Sequence, residues 1–293
     1  MSFAIVTDSA CNLPEYIIDE HDLHILPLTF MIEGKEYVSY LKGEHTDLQQ
    51  FYHMMRDGKV VTTSLPHVNS TLELVESLLE SGQDILYLGF SSALSGTYES
   101  VSETVAEAAS RYPNRKAISV GTLAASGGEG LLVLYAAEMC KAGSTIEETA
   151  KWVEEHRLNL AHWFTVDDLM FLYRGGRVSR TSATAGTILS IKPVMHVDDE
   201  GRLIPVSKTR GRKRSVRALF DHMKQTFDAQ YAPQHVMITH GDCIDDAHAL
   251  QAMVQDEFGD QVKDVIINYV DPVIGAHSGP GTLALFFLAT SRN

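Results

Sequence analysis

The stretch that decides the fold is Ile85-Leu86-Tyr87-Leu88-Gly89-Phe90-Ser91-Ser92-Ala93-Leu94-Ser95-Gly96-Thr97-Tyr98. Its apolar first residues predict a buried strand, and Val101, Val105 and Ala108 predict a helix after it. Hydroxyls and glycines crowd the turn between them. Because the first N–H groups of a helix lack partners and its dipole is positive there, this turn favours a phosphate or a carboxylate. From this stretch alone, the alternative is that Ser95 only caps the helix.

Length and composition indicate a globular chain of one large or two ordinary domains. The 293 residues are 44% hydrophobic and 21% charged, which excludes a disordered protein. We find neither the basic start of a signal peptide nor an apolar run of the ~18 residues that a membrane span needs. Three widely spaced cysteines suit reduced thiols rather than a metal site. We therefore expect a cytoplasmic protein without stable membrane insertion, metal or cofactor.

The net charge of −14 is unevenly distributed. Residues 1–157 contain 10 Lys and Arg against 23 Asp and Glu, and residues 158–293 contain 14 against 15. The second part also holds a dense basic segment, Lys208–Arg217. Because an acidic chain binds nucleic acid poorly, we expect no nucleic-acid partner and a local purpose for this segment.

The order of the predicted elements indicates an α/β fold with two domains. Strands and helices alternate up to residue 157, which predicts a doubly wound, mostly parallel sheet. Beyond it, two neighbouring strands at Ile191–Val197 and Leu203–Ser207 and a later β-α-β unit predict a second α/β domain with a mixed sheet. The predicted domains are residues 1–158 and 159–293.

Several local predictions concern the loops and the end of the chain. We expect Thr63 to lie in a loop before a helix that begins with a capping box at Ser70–Glu73. A helix rich in Ser, Thr and Ala is predicted to run to Leu189. His277, flanked by glycines, is expected just before an apolar helix at Thr282–Thr290.

Five short motifs occur in one order along the chain. They are Thr7-Asp8-Ser9-Ala10-Cys11-Asn12-Leu13-Pro14, Thr63-Ser64-Leu65-Pro66, Leu94-Ser95-Gly96-Thr97-Tyr98, Gly175-Gly176-Arg177-Val178-Ser179 and Ile274-Gly275-Ala276-His277-Ser278-Gly279-Pro280-Gly281. Together they resemble the DegV family of bacterial fatty-acid-binding proteins. Each motif alone is weak, but five in this order and spacing are specific, and the resemblance covers nearly the whole chain.

The resemblance implies a long-chain fatty acid, such as palmitate or oleate, in a tunnel between the two domains. Its carboxylate is then held by Thr63, Ser95 and His277. We also expect Gly96 and Thr97 to bind the carboxylate, because their N–H groups follow Ser95 at the start of the helix. A role in lipid transport or fatty acid metabolism follows from the same resemblance, without catalysis by this chain.

The resemblance also implies a protein partner. Some family members are the acyl-carrying subunit of a fatty acid kinase and present the bound acid to a separate ATP-binding subunit. In those members, arginines at the positions of Arg177 and Arg210 lie near the pocket mouth and help to engage the kinase. His67 and Val68 depart mildly from the family pattern, and the basic segment is denser than in many members, which leaves the partner open.

The chemistry of a fatty acid is consistent with these residue types. Hydroxyls and one histidine at the closed end of an apolar tunnel hold a carboxylate by charge-assisted hydrogen bonds, without a permanent buried cation. Burial of roughly 14 methylenes at ~0.8 kcal/mol each supplies about 11 kcal/mol before the costs of association.

Two other functions are compatible with the same residues. The first is a serine-dependent hydrolase with Ser95 as nucleophile, His277 as base and Asp8 as the orienting acid, although no G-x-S-x-G elbow surrounds Ser95. The second is a phosphate-ligand or nucleotide binder, although the sequence has neither a Walker A motif nor a G-x-G-x-x-G motif after a strand.

Overall fold

The computed structural model describes residues 3–44, 46–179 and 191–292. The strands are β1 (Ala4–Asp8), β2 (His24–Leu26), β3 (Thr29–Ile32), β4 (Lys35–Val38), β5 (Val61–Ser64), β6 (Ile85–Gly89), β7 (Ala117–Gly121), β8 (Leu160–Thr165), β9 (Ile191–Val197), β10 (Leu203–Arg210), β11 (Gln234–His240), β12 (Val262–Tyr269) and β13 (Leu283–Leu288). The α-helices are α1 (Glu15–Glu20), α2 (Leu48–Arg56), α3 (Val68–Glu80), α4 (Thr97–Ala109), α5 (Gly127–Lys141), α6 (Ile146–His156), α7 (Met170–Arg174), α8 (Arg212–Thr226), α9 (Ile244–Phe258) and α10 (Pro272–Ser278). Short 3₁₀ turns lie at Ser9–Cys11, Ala229–Tyr231 and Gly259–Gln261.

The first sheet has the order β2-β1-β6-β7, and all its pairs are parallel. Helices α3 and α4 pack on one face, and α5 and α6 pack on the other. This arrangement confirms the predicted doubly wound parallel sheet. Its strands are buried on both faces, which explains why they appear in the sequence as short continuous apolar runs.

The second sheet has the order β10-β9-β8-β13-β11-β12. Strands β11 and β12 are parallel and the other pairs are antiparallel, so the predicted mixed sheet is confirmed. Helices α8 and α9 cover one face, and α5 packs against the other.

A third, smaller sheet has the order β4-β3-β5 and is antiparallel. The predicted apolar run Leu23–Met31 is divided at Pro27, because β2 joins the first sheet while β3 joins this one. The prediction that Thr63 lies in a loop is wrong, since Thr63 is in β5 and pairs with Phe30 of β3.

Helix α5 packs between the two large sheets. It contacts β1 and β6 on one side and β8, β11 and β13 on the other. Its residues are therefore buried almost all round, from Gly127 to Leu134 without a break. Gly128 makes this close packing feasible, because a Cβ there would lie 2.1 Å from Nε2 of His162.

The predicted apolar helix at Thr282–Thr290 is wrong, because these residues form β13. This strand pairs with β8 on one side and β11 on the other. Leu285 belongs to the core beneath α8 and α9, whereas Phe286 belongs to the core around α5. Since both faces are covered, the strand carries no polar alternation, and periodicity alone does not separate it from a buried helix.

Two other local predictions are changed by the structure. Helix α3 begins at Val68 after His67, so Ser70–Glu73 lies inside the helix and forms no capping box. Thr71 donates its hydroxyl to the carbonyl of His67 instead. The helix predicted to run to Leu189 lies outside the described residues.

Among residues 3–44, 46–179 and 191–292, no helix combines the length and the apolar character needed to span a bilayer.

Buried carboxyl groups lie where β1 meets α5. Asp8 accepts hydrogen bonds from the N–H groups of Ala10 and Phe90, and Glu129 accepts one from the Thr7 hydroxyl. Burial raises the pKa of Asp8 to about 7. Burial and the neighbouring Asp8 raise the pKa of Glu129 well above its usual range, and burial raises the pKa of Asp271 to about 6.

These shifts give the fold a defined dependence on pH. A carboxyl whose pKa is raised by folding binds its proton more tightly in the folded chain than in the unfolded one. Its contribution to the free energy of unfolding is therefore lost as the pH rises from about 4 to about 7, the window that the pKa of Asp8 defines.

We predict that Glu129→Gln raises the melting temperature at pH 8 and changes it little at pH 4. The amide removes an ionisable group whose pKa burial and the neighbouring Asp8 raise well above its usual range, so the variant avoids the cost of ionising this group inside the fold at pH 8. Thermal unfolding from pH 4 to 8 measures this effect. Glu103→Gln, on the exposed face of α4, is the control and should change neither value. A Glu129→Gln protein that melts lower than wild type at pH 8 would contradict the prediction.

Candidate ligand site

A cavity of about 190 Å³ lies between the face of the second sheet and the loops of the first. A single water needs only ~10–15 Å³ in the same measure. The wall is mostly apolar and includes Leu28, Phe90, Phe164, Val273 and Phe286. Its lining is that of a site for an apolar ligand with a few polar contacts.

Thr63 and His277 meet in the wall of this cavity. Oγ1 of Thr63 lies 2.9 Å from Nε2 of His277. Thr63 lies in strand β5, and His277 lies in the last turn of α10. The prediction that His277 lies in a loop just before a helix is therefore wrong. Asp271 begins α10 by accepting the N–H groups of Val273 and Ile274.

His277 is a neutral side chain at physiological pH. Burial lowers its pKa to about 4, and the positive charge of Arg177 acts in the same direction. A neutral imidazole has one donor and one acceptor nitrogen, so the Thr63–His277 pair can donate a hydrogen bond to an anion without a fixed charge of its own.

Ser95 lies in the same wall, just before α4. Its Oγ lies 2.9 Å from Oγ1 of Thr97 and accepts a hydrogen bond from the N–H of Thr97. Gly96 is the residue that precedes the first turn of α4. Neither Gly96 nor Thr97 contributes to the cavity wall, so any contact they make with a ligand would be through the helix start.

Arg177 and Arg210 lie in different places in the structure. Arg177 lines the cavity, where its Nε donates to the carbonyl of Leu94 at 3.0 Å and its Nη1 donates to the carbonyl of Gly175. Burial lowers the pKa of Arg177. Arg210 lies at the end of β10, in an exposed basic depression formed by residues 210–214, and does not line the cavity.

The residues that line the cavity differ in their exposure to solvent. Ser64 is exposed, and Leu65 is 39% exposed although both line the cavity. His162 and Phe286, which also line the cavity, are almost completely buried. The residues beside Thr63 therefore reach the surface, whereas other parts of the lining are buried.

The contacts of Ser95, His277 and Asp8 differ from those of a serine hydrolase. The Ser95 hydroxyl is hydrogen-bonded to Thr97, and Nε2 of His277 is hydrogen-bonded to Thr63. Asp8 accepts two backbone N–H groups elsewhere. The nucleophile, base and acid chain that such catalysis requires is not formed by these three residues.

Other polar residues that the sequence did not single out also line the cavity, among them Ser126, His162, Thr239 and Ser278. Ser126 donates to Oδ1 of Asn12 and lies 2.9 Å from Oγ1 of Thr239, and His162 accepts the N–H of Ala125. Ser278 follows His277 on α10. Only Ser278 lay within a recognised motif, so the other three carried no usable signal in the sequence.

Comparison with known proteins places the chain in a family. The model "DegV: Uncharacterised protein, DegV family" matches residues 2–290. A DegV domain-containing protein of Clostridium perfringens is 42% identical over 290 residues, which cover 99% of this chain and 98% of that one. The chain belongs to the DegV family.

Solved structures of DegV proteins share the whole fold. A protein from Thermus thermophilus, described as a fatty-acid-binding member of the DegV family, superposes with a TM-score of 0.86 at 28% identity and covers 99% of this chain and 100% of its own. DegV of Bacillus subtilis, described as a fatty acid binding protein, gives 0.83 at 28% identity with the same coverage. These DegV structures and this chain therefore have the same overall fold.

We predict that Gly175→Ala displaces His277. The backbone of Gly175 has φ −72°, so alanine fits the backbone, but its Cβ would lie 2.3 Å from Nδ1 of His277. The stability of Gly175→Ala, His277→Ala and the double variant, measured by urea unfolding, tests this. We expect Gly175→Ala to cost ~1–3 kcal/mol in the wild type and much less when residue 277 is alanine. Equal costs in the two backgrounds would contradict the prediction.

Proposed function

We propose that this DegV protein binds a long-chain fatty acid, such as palmitate or oleate, with its carboxylate on Thr63, Ser95 and His277. The observation that carries the proposal is the Thr63–His277 pair, which lies with Ser95 in the wall of an otherwise mainly apolar cavity. The relatives from Thermus thermophilus and Bacillus subtilis, described as fatty acid binding, support the same ligand class.

The two parts of the ligand have different roles in this proposal. The tail supplies most of the affinity, about 11 kcal/mol for roughly 14 methylenes before association costs. The carboxylate sets the orientation through hydroxyl and imidazole donors. Gly96 and Thr97 contribute through the start of α4, where the helix dipole favours a negative charge.

We further propose that the chain is a cytoplasmic, non-catalytic carrier in lipid transport or fatty acid metabolism. It needs no cofactor for this role, and the acid lies between the parts formed by residues 1–158 and 159–293. The acidic surface of residues 1–157, with 23 Asp and Glu against 10 Lys and Arg, is unsuited to nucleic acid.

A kinase partner is the second part of the proposal. Arg210 lies in the exposed basic depression of residues 210–214, which suits a protein partner with an acidic surface. Arg177 lines the cavity and donates to the carbonyl of Leu94, so in this proposal it acts on the ligand side while Arg210 acts on the partner side. An ATP-binding fatty acid kinase subunit is the partner that fits both.

The proposal predicts that native mass spectrometry of the purified protein detects co-purifying long-chain acids. After removal of lipid, palmitate or oleate should raise the melting temperature and bind in calorimetry, whereas ATP should do neither. Absence of both the bound acid and the thermal shift would overturn the proposed function. Stabilisation by ATP alone would favour a nucleotide site, and labelling of Ser95 by a fluorophosphonate would favour an enzyme.

Within the same experiment, Ser95→Ala should weaken palmitate binding by ~1–3 kcal/mol through the lost donor. Ser102→Ala is the matched control, because Ser102 lies on the exposed side of the same helix and donates to the carbonyl of Glu99. The control should bind palmitate as the wild type does.

We predict that Arg210→Ala leaves palmitate affinity within about twofold of wild type but impairs phosphorylation of the bound acid by the kinase subunit. The reason is that Arg210 lies outside the cavity and is exposed. Arg202→Ala should impair neither. Arg202 is an exposed arginine in the turn of the same hairpin and is paired with Glu200. Parallel loss of lipid affinity and of phosphorylation in Arg210→Ala would contradict this division.

A further inference from the structure

Ser278 has a hydroxyl that no protein group satisfies. The side chain is 5% exposed, and its Oγ has no hydrogen-bond partner in the described chain. The residue lines the cavity and directly follows His277 on α10. An unpaired buried hydroxyl costs ~1–3 kcal/mol, so a partner is expected in the working state of the protein.

The usual local partner is not used. Hydroxyls inside helices commonly donate to the carbonyl three or four residues earlier, and many in this protein do so. Those that make this bond are Thr71, Ser77, Ser102, Thr104, Thr149, Ser215 and Thr226. Ser278 lies in the last turn of its helix, as Ser77 and Thr226 do in theirs, but its hydroxyl makes no such bond.

We propose that Ser278 is a further ligand-binding residue, which donates its hydroxyl to the carboxylate of the bound acid. This inference rests on the proposed function. Adjacent residues of a helix point about 100° apart around its axis, so Ser278 and His277 reach different parts of the ligand head. An ionised carboxylate has about four acceptor positions, which leaves room for a donor beside Thr63 and Ser95.

The hydroxyl reaches this partner by a change of rotamer. Serine has three staggered wells about its Cα–Cβ bond, and the residue already forms part of the cavity wall. No carbonyl bond has to be broken when it turns, because Oγ makes none. The ligand thereby gains a donor at small cost to the protein.

The test compares palmitate with 1-hexadecanol, which has the same tail length and no carboxylate, on lipid-free protein. Ser278→Ala should weaken palmitate binding roughly tenfold, the effect of one lost donor, and leave hexadecanol binding within about twofold. The melting temperature of the lipid-free variant should be equal to or above that of wild type, because the unpaired hydroxyl is gone.

Thr165→Val is the matched control. Thr165 is fully buried and its Oγ1 also lacks a partner, but the residue does not line the cavity. The valine variant should bind palmitate as wild type does. If Ser278→Ala does not fold, Ser278→Cys replaces it, because cysteine is similar in size and a weak donor. This variant should also lose more affinity for palmitate than for hexadecanol.

The possible failures are distinguishable. Wild-type protein that binds no palmitate overturns the proposed function, and this inference with it. Wild-type binding with an unchanged or tighter Ser278→Ala protein overturns the inference alone, as does an equal loss of palmitate and hexadecanol.

Discussion

The packing of α5 between the two large sheets is the constraint on which the site depends. The helix contacts β1 and β6 on one side and β8, β11 and β13 on the other, so the sheets cannot separate without exposing its apolar surface. Buried apolar area stabilises the fold by ~25 cal/mol per Å². The burial of α5 therefore opposes any change in the position of one sheet relative to the other. The residues just before the helix, Ala125 and Ser126, form part of the cavity wall. The position of this part of the wall therefore depends on the packing of α5.

The electrostatics of the site depend on burial more than on formal charge. His277 is neutral because burial lowers its pKa to about 4, and the nearby carboxyls at Asp8 and Asp271 have raised pKa values for the same reason. Arg177 keeps its charge but is bonded to carbonyls. An anionic ligand would thus meet hydroxyls, an imidazole and one partly buried guanidinium. These groups offer hydrogen bonds without forming a fully buried ion pair, whose desolvation is costly.

The sequence could predict the α/β class, the parallel and mixed sheets and the family, because these depend on periodicity and on motif order. It could not show that Thr63 and His277, which are 214 positions apart, form a hydrogen bond, since that contact depends on how β5 and α10 pack. Strand β13 was misread as a helix because both of its faces are covered. The sequence does not indicate Ser126, His162 and Thr239 as site residues, because they belong to no motif. Only the folded chain places them in the cavity wall.

The position of the polar group within the cavity bears on how a carrier would work. Ser64 and Leu65 are exposed beside Thr63, whereas His162 and Phe286 in the same cavity lining are buried. An acid bound by the proposed residues would have its carboxylate near lining residues that reach the surface, and buried apolar lining would be available to its tail. The apolar burial that provides the affinity and the group available for transfer are then spatially separate, so a partner could reach the carboxylate while the tail stays out of water.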